Sequence, residues 1–396
     1  MVQADGSTIA GFDLMDPSVH ADPYPTYRWL RERAPVYRMP GAPLWVVSRH
    51  HDIERILHDH DTFSSDLGMK VPLMSMVMKD PPDHTRLRQT VNLAFTPRNI
   101  RHLGPRIEAI AEDLASGLAG ACEFVQAFAN PLPVTVISEM LGVPLKHRAR
   151  MNRYARDALL ASFAATGMGS AELRSEAEAG LASLMAILDE AIEAHRAAPK
   201  DNIISSLVAE EASGTLTNVE LRHLCALLLI AGHETTANLM ANGMHVLARD
   251  PGLFDRLKAD PALLPAFVEE LVRMRPPLQR LMRRVTRDVE LGGERIPAGA
   301  SVMLLPGSAN RDSATWPDPD RLDLDHDNRR HLGFGTGIHV CPGASLARLE
   351  ARIAFAVLLN RIRAVAPDPA RPPTPIVGYG AGSLGWNQLP LIVHPE

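Results

Sequence analysis

Leu332-Gly-Phe-Gly-Thr-Gly-Ile-His-Val-Cys-Pro-Gly343 places one thiol, Cys341, in a glycine-rich turn directly before a helix predicted to begin at Ala344. Backbone N–H groups at a helix N-terminus stabilise an anion, so the position favours thiolate. Glycines flanking the thiol let the backbone come close to a flat partner without Cβ collisions. Two partners compete for such a sulfur: a substrate attacked by a cysteine nucleophile, or a metal. Pro342 and the apolar Phe334 make the pocket dry, which suits a buried metal better than an exposed nucleophile. One protein sulfur cannot enclose zinc without further ligands, whereas haem brings four nitrogens and needs only an axial ligand. The chain has no Cys-x-x-Cys-His, so a haem here is not covalently attached. The other two cysteines, Cys122 and Cys225, read as small hydrophobes.

The rest of the chain sets limits on this reading. Its 396 residues carry 41 Lys+Arg against 46 Asp+Glu, a net charge of −5, which excludes nucleic-acid binding by bulk charge. A hydrophobic share of 46% with 22% charged residues is enough for a packed core. Three widely spaced cysteines give neither a disulfide framework nor a zinc ribbon, and point to a reducing compartment. The N-terminus has no basic start followed by an apolar run, and no stretch reaches the ~18 uncharged apolar residues of a membrane helix. A cytoplasmic protein without a membrane anchor is expected. Nothing in the chain is rich enough in Pro, Gly or Ser to be a linker, so residues 1–396 are read as one domain.

Helical patterning dominates. Asp83 to Ala94, Arg106 to Leu118, Leu181 to Arg196, Asn218 to Arg249, Pro261 to Arg275 and Ala344 to Ile362 carry apolar residues at three- and four-residue spacings. Strands are few: Pro35 to Arg38 and Leu44 to Ser48 flank a Pro-Gly turn as a hairpin, with Ala300 to Leu305 as a third strand nearby. The longest helix begins at the capping box Thr217-Asn-Val-Glu220 and stops at Asp250-Pro251, which makes it about 48 Å long at 1.5 Å per residue. Leu224 to Gly232 is apolar on every face, as expected of a helix surrounded by protein. His233-Glu-Thr-Thr236 then interrupts it, either as an exposed polar turn or as a local groove or kink, because Thr hydroxyls compete for preceding carbonyls. The zinc motif His-Glu-x-x-His fails here, since position 237 is Ala. In the helix ending at Arg275, Glu270 lies beside the stripe Phe267, Leu271 and Met274, with Arg273 on the same side and Glu269 nearly opposite.

Three motifs occur in the order and spacing of the cytochrome P450 haem-thiolate monooxygenases, which this chain resembles over nearly its full length. They are Phe334-Gly335-x-Gly337-x-His339-x-Cys341-x-Gly343, Glu270-x-x-Arg273 and Ala231-Gly232-x-Glu234-Thr235. Asp80-Pro-Pro-Asp-His84-x-x-x-Arg88 and Ala309-Asn-Arg-Asp312 add to the likeness, which is to the bacterial soluble type. The resemblance implies a mainly α protein with minor β, a single-domain triangular helical prism with small β-sheets. It makes Cys341 the axial ligand of haem b, sets Phe334 beside the haem, and lets Gly335, Gly337 and Gly343 shape the loop, with Ala231 on the facing helix. His84, Arg88, Arg283 and His339 match the positions that hold the haem propionates. His84 and Arg88 share a helix face at i,i+4, and Arg283 is distinguished from Arg280, Arg284 and Arg287 by its offset of five residues before Asp288. Glu270 and Arg273 are usually joined by an Arg at the position that here is His326.

By the same resemblance Glu234 and Thr235 are the acid and alcohol that direct protons to bound O2. An apolar small-molecule substrate would meet Leu227, Ile230, Leu278, Gln279 and Leu384, with Met76 as a flexible lid residue or as core filler. No flavin or iron–sulfur domain is visible, so a ferredoxin and a ferredoxin reductase would bring electrons from NAD(P)H to the protein, acting as a monomer. Arg329, Arg330, Arg348 and Arg352 would attract an acidic ferredoxin, or are ordinary surface charge. A peroxide-driven peroxygenase is the rival enzyme, and Glu234-Thr235 argues against it; a non-enzymatic haem sensor is the rival from another class.

Overall fold

Leu44-Trp-Val-Val47 is apolar and rich in β-branched residues, and it forms the buried strand around which one sheet is built. It pairs antiparallel with Val36–Arg38 across a turn where Gly41 adopts a φ of +74°, and parallel with Ser301–Leu304. The predicted hairpin and third strand are therefore neighbours. Leu281–Val285 and Phe63–Ser64 extend the sheet beyond Ser301–Leu304 to five strands. The core beneath it joins Val46, Ile53, Ile56, Phe63 and Val302, and it includes Leu332, the first residue of the cysteine loop.

The computed structural model describes residues 16–68, 76–147, 151, 153, 154, 157, 171–325, 330–377 and 382–396. Two units make up the chain, each from separated stretches. The five-stranded sheet belongs to the unit of Met1–Gly68, Pro265–Cys341 and Pro375–Gly385; the other comprises Met69–Leu264, Pro342–Thr374 and Trp386–Glu396.

In the second unit the capping box forms as read. Thr217 Oγ1 accepts the Glu220 N–H at 3.2 Å, and Glu220 Oε2 accepts the Thr217 N–H at 2.9 Å. The helix runs Asn218–Arg249 without a break, so the polar stretch at His233 does not interrupt it. One 18-residue window is long and apolar enough to cross a bilayer, but 78% of it is buried inside the protein, as in a core helix. Pro131–Leu141 and Ala344–Arg361 pack against it. Gly232 sits where a Cβ would come within 3.1 Å of Ile137 Cγ1, so its missing side chain lets the Pro131–Leu141 helix approach.

Pro131–Leu141 is a helix that apolar spacing did not reveal. Its two prolines and several β-branched residues are weak helix formers, yet prolines are tolerated in a first turn where no intrahelical N–H is needed. Burial of Leu132, Val134, Val136, Ile137 and Leu141 outweighs the weak propensity. A three-stranded sheet, ordered Gly120–Glu123, Pro390–Pro395, Ile362–Pro367, was equally invisible, because its partners are distant in sequence.

Glu350, on Ala344–Arg361, is fully buried, and neither carboxylate oxygen meets a hydrogen-bond donor among the described residues. Burial pushes its pKa well above the usual carboxylate range. The folded state therefore holds a proton that the unfolded chain releases, and stability falls as pH rises through that interval. Glu350→Gln, isosteric with the neutral acid, is expected to raise the unfolding midpoint by a margin that grows from about pH 5 to about pH 8. Thermal melts across that range check it, and a pH-independent margin contradicts a neutral buried acid.

Candidate active site

The cysteine loop is closed by its own backbone. The Cys341 N–H donates to the Phe334 carbonyl at 2.9 Å and the Gly335 N–H to that of Leu332 at 3.0 Å. Gly335 and Gly337 take φ of +67° and +69°, a region open to glycine at little cost. At Gly337 a Cβ would also collide with the Leu57 carbonyl. Two side chains from outside the loop pin it: Ser65 Oγ lies 2.9 Å from His339 Nε2, and His58 Nε2 lies 3.1 Å from Thr336 Oγ1. The Cys341 thiol is half-buried. Among the described residues no three His, Cys, Asp or Glu side chains gather as a metal site, so a metal on Cys341 must bring its other donors. A haem meets that condition, and the glycine-lined loop suits its flat face.

Arg273 and Glu270 form the support of this loop. All five guanidinium donors are used. Nε and Nη2 meet the two Glu270 oxygens at 2.7 Å each, Nη1 meets the carbonyls of Asn310 and Pro319 at 2.9 and 2.8 Å, and Nη2 also meets that of Arg321 at 2.9 Å. Both side chains are buried. His326 lies outside the described residues, and backbone carbonyls fill Arg273's remaining donor positions. Asn310 carries the support onward, because its Oδ1 accepts the Leu332 N–H at 2.7 Å. Glu269, read as facing away, is half-buried and meets His331 Nε2 at 3.1 Å.

Of the four neighbouring arginines, Arg283 is buried on the strand Leu281–Val285. Arg280 meets His20 Nε2 at 3.1 Å, Arg284 the Asp66 carbonyl at 2.8 Å and Arg287 Thr62 Oγ1 at 2.7 Å. Arg283 likewise donates Nη1 to the Met282 carbonyl at 2.7 Å, so each of the four has a protein partner. Leu278 bridges to Ser383, and the Leu384 N–H donates to the Pro277 carbonyl at 2.8 Å, so these two stretches lie side by side. Gln279 is buried, donating Nε2 to the Pro276 carbonyl at 2.7 Å and packing where a Cβ on Gly307 would collide with it.

The second unit carries the remaining candidates. Ala231 and Thr235 are exposed and Glu234 half-buried, on a helix whose residues Leu224 to Ile230 and Thr236 to Met244 are buried. Thr235 Oγ1 donates to the Ala231 carbonyl at 3.0 Å, the competition with the helix ladder that the sequence suggested. His233 beside it is buried, its ring nitrogens without a hydrogen-bond partner among the described residues, and burial lowers its pKa to about 4. It is therefore a neutral group at working pH. Leu227, Ile230 and Met76 are buried in one apolar cluster with Leu87 and Ile137. His84 is buried and Arg88 half-buried on the same face of Asp83–Ala94, with Arg88 Nε 3.0 Å from Asn92 Oδ1. Gly343 immediately precedes Ala344–Arg361, and its carbonyl accepts the Ala347 N–H at 2.9 Å. Neither Ser65 nor His331 was singled out by the sequence, since neither lies in a motif.

The family model for cytochrome P450 matches residues 20–390. Cytochrome P450 123 of Mycobacterium tuberculosis is 40% identical over 396 residues, covering 96% of each chain. The vitamin D(3) 25-hydroxylase of Pseudonocardia autotrophica is 37% identical, covering 96% of this chain and 94% of its own. Among solved structures, CYP109Q5 from Chondromyces apiculatus superposes with a TM-score of 0.86 at 36% identity, covering 98% of this chain and 100% of that one. Gly337→Ala is expected to displace the cysteine loop from Leu57 and cost about 1–3 kcal/mol. Chemical unfolding together with haem content per protein checks it, both falling in the variant.

Proposed function

This chain belongs to the cytochrome P450 family, and we propose that it uses O2 to hydroxylate or epoxidise a mostly apolar small organic substrate, with electrons from a separate ferredoxin and its NAD(P)H-dependent reductase. It is an oxidoreductase with haem as its cofactor, and it needs a redox partner. The observation that carries the proposal is the closed glycine loop that presents a single thiol, with no other metal donors gathered beside it among the described residues.

Bound haem supplies the iron at which dioxygen is activated, and thiolate ligation favours O–O cleavage. Everything else falls to the protein. Cys341 would hold the iron, and Phe334 would cover the sulfur side. His84, Arg88, Arg283 and His339 would hold the two propionates through charge-assisted hydrogen bonds. Thr235 offers a hydroxyl on the accessible turn of a buried helix, and rotation about its χ1 exchanges the Ala231 carbonyl for a group on the open side. Glu234, half-exposed next to it, would take protons from water and pass them to that hydroxyl. His233, neutral and enclosed, stays out of this exchange.

The vitamin D(3) hydroxylase among the relatives supports an apolar substrate. Arg348 and Arg352, one turn apart on Ala344–Arg361, supply positive charge for an acidic ferredoxin. The proposed setting is the cytoplasm and the proposed state a monomer.

The reduced carbonyl adduct is expected to show the red-displaced Soret band of thiolate ligation, and Cys341→Ser to lose it. A normal band in the variant removes Cys341 from the iron. Thr235→Ala is expected to raise the ratio of peroxide released to product formed by about tenfold or more, measured against NAD(P)H consumed. An unchanged ratio takes Thr235 out of the proton path.

A further inference from the structure

Arg86 stands midway between the two groups assigned to the propionates, two residues after His84 and two before Arg88. At 100° per residue His84 and Arg88 project about 40° apart, while Arg86 projects about 160° from each, on the far side of the helix. Its guanidinium makes a two-pronged contact with Glu220, Nη2 to Oε1 at 2.5 Å and Nη1 to Oε2 at 3.3 Å, and Nη1 also donates to the Thr215 carbonyl at 2.8 Å. Asp83 lies 3.8 Å from the same guanidinium and is itself paired with Lys79 at 2.7 Å.

The anchor is itself held at several points. Glu220 Oε2 also accepts the Thr217 N–H and hydroxyl at 2.9 and 3.0 Å, so the carboxylate that grips Arg86 is the one that caps the 32-residue core helix. Arg86 and its neighbours hold that carboxyl down at about 2, so the pair stays charged at any working pH. The Asp83–Ala94 helix, by contrast, has no side-chain cap of its own at its N-terminus. Leu87 and Val91 are buried and seat the helix by non-directional apolar packing, to which the Arg86 fork adds a directional contact. A turn of about 20° about its axis moves a side chain at the helix's outer radius of about 6 Å by about 2 Å, enough to break a hydrogen bond.

We propose that Arg86 is a positioning residue: gripped by Glu220 and the Thr215 carbonyl, it fixes the rotation of the Asp83–Ala94 helix and so aims His84 and Arg88 at the haem carboxylates. This rests on the propionate reading of those two residues. The planar fork matters, because a lysine supplies one point of contact where arginine supplies a plane.

The experiment uses holoenzyme and measures haem transfer to excess apomyoglobin, the ferric/ferrous midpoint potential and the unfolding midpoint. The variants are Arg86→Ala, Arg86→Lys, His84→Ala/Arg88→Ala and the triple variant. Arg86→Ala is expected to speed haem loss about tenfold and shift the potential in the same direction as the double variant, with Arg86→Lys in between. In the triple variant the Arg86 substitution is expected to add nothing further to haem loss, because the groups it aims are gone. Should Arg86→Ala and Arg86→Lys lower only the unfolding midpoint, or should their effect on haem loss persist in full without His84 and Arg88, Arg86 is merely structural and the inference fails. A double variant that keeps haem as wild type does overturns the propionate reading, and this inference with it.

Discussion

A guanidinium can be buried only where five acceptors surround its five N–H groups, because an unpaired buried charge costs more than most single contacts return. Arg273 satisfies that condition with two oxygens from Glu270 and three backbone carbonyls from Asn310, Pro319 and Arg321. Glu270 in turn accepts the Asp323 N–H at 2.8 Å. The pair thereby gathers an irregular stretch of chain that has no ladder of its own to order it. Asn310, held at its carbonyl by Arg273, uses its side chain to catch Leu332, where the cysteine loop starts. The start of the thiol's loop is thus tied, through Asn310, to a buried ion pair.

The core helix shows how polarity can be placed within an apolar environment. Its middle is enclosed by protein, and the one accessible turn holds Ala231, Glu234 and Thr235. The Thr235 hydroxyl donates to the Ala231 carbonyl, and Glu234 is half-buried beside it. His233 on the enclosed side is kept neutral by burial, as is Glu350 on the neighbouring helix. Among the described residues these two buried groups have no hydrogen-bond partner, unlike the enclosed Arg273 and Glu270, which pair with each other.

Glu220 joins two tasks that sequence patterns treat separately. As the third residue of a capping box it completes the start of the core helix, and as the partner of Arg86 it reaches the Asp83–Ala94 helix. Using one rigid carboxylate for both means that the helix carrying His84 and Arg88 is registered against the element carrying Glu234 and Thr235.

Local rules were enough for the features whose causes are local. The bounds of Asn218–Arg249 followed from a capping box and an Asp-Pro stop, and Asp83–Ala94 from its apolar spacing. The hairpin followed from a Pro-Gly turn between β-branched runs, and the cysteine loop from glycines that only a close-approach turn requires. Tertiary structure decided what depends on distant partners. Pro131–Leu141 is helical because burial outweighs its propensity; Glu269 turns inward because His331 meets it; carbonyls complete the Arg273 site. Which apolar residues surround Met76, Leu227 and Ile230 was also a tertiary matter, since the three are buried in one cluster drawn from several helices. Periodicity records which face of an element is apolar, but what covers that face is set by chain hundreds of residues away.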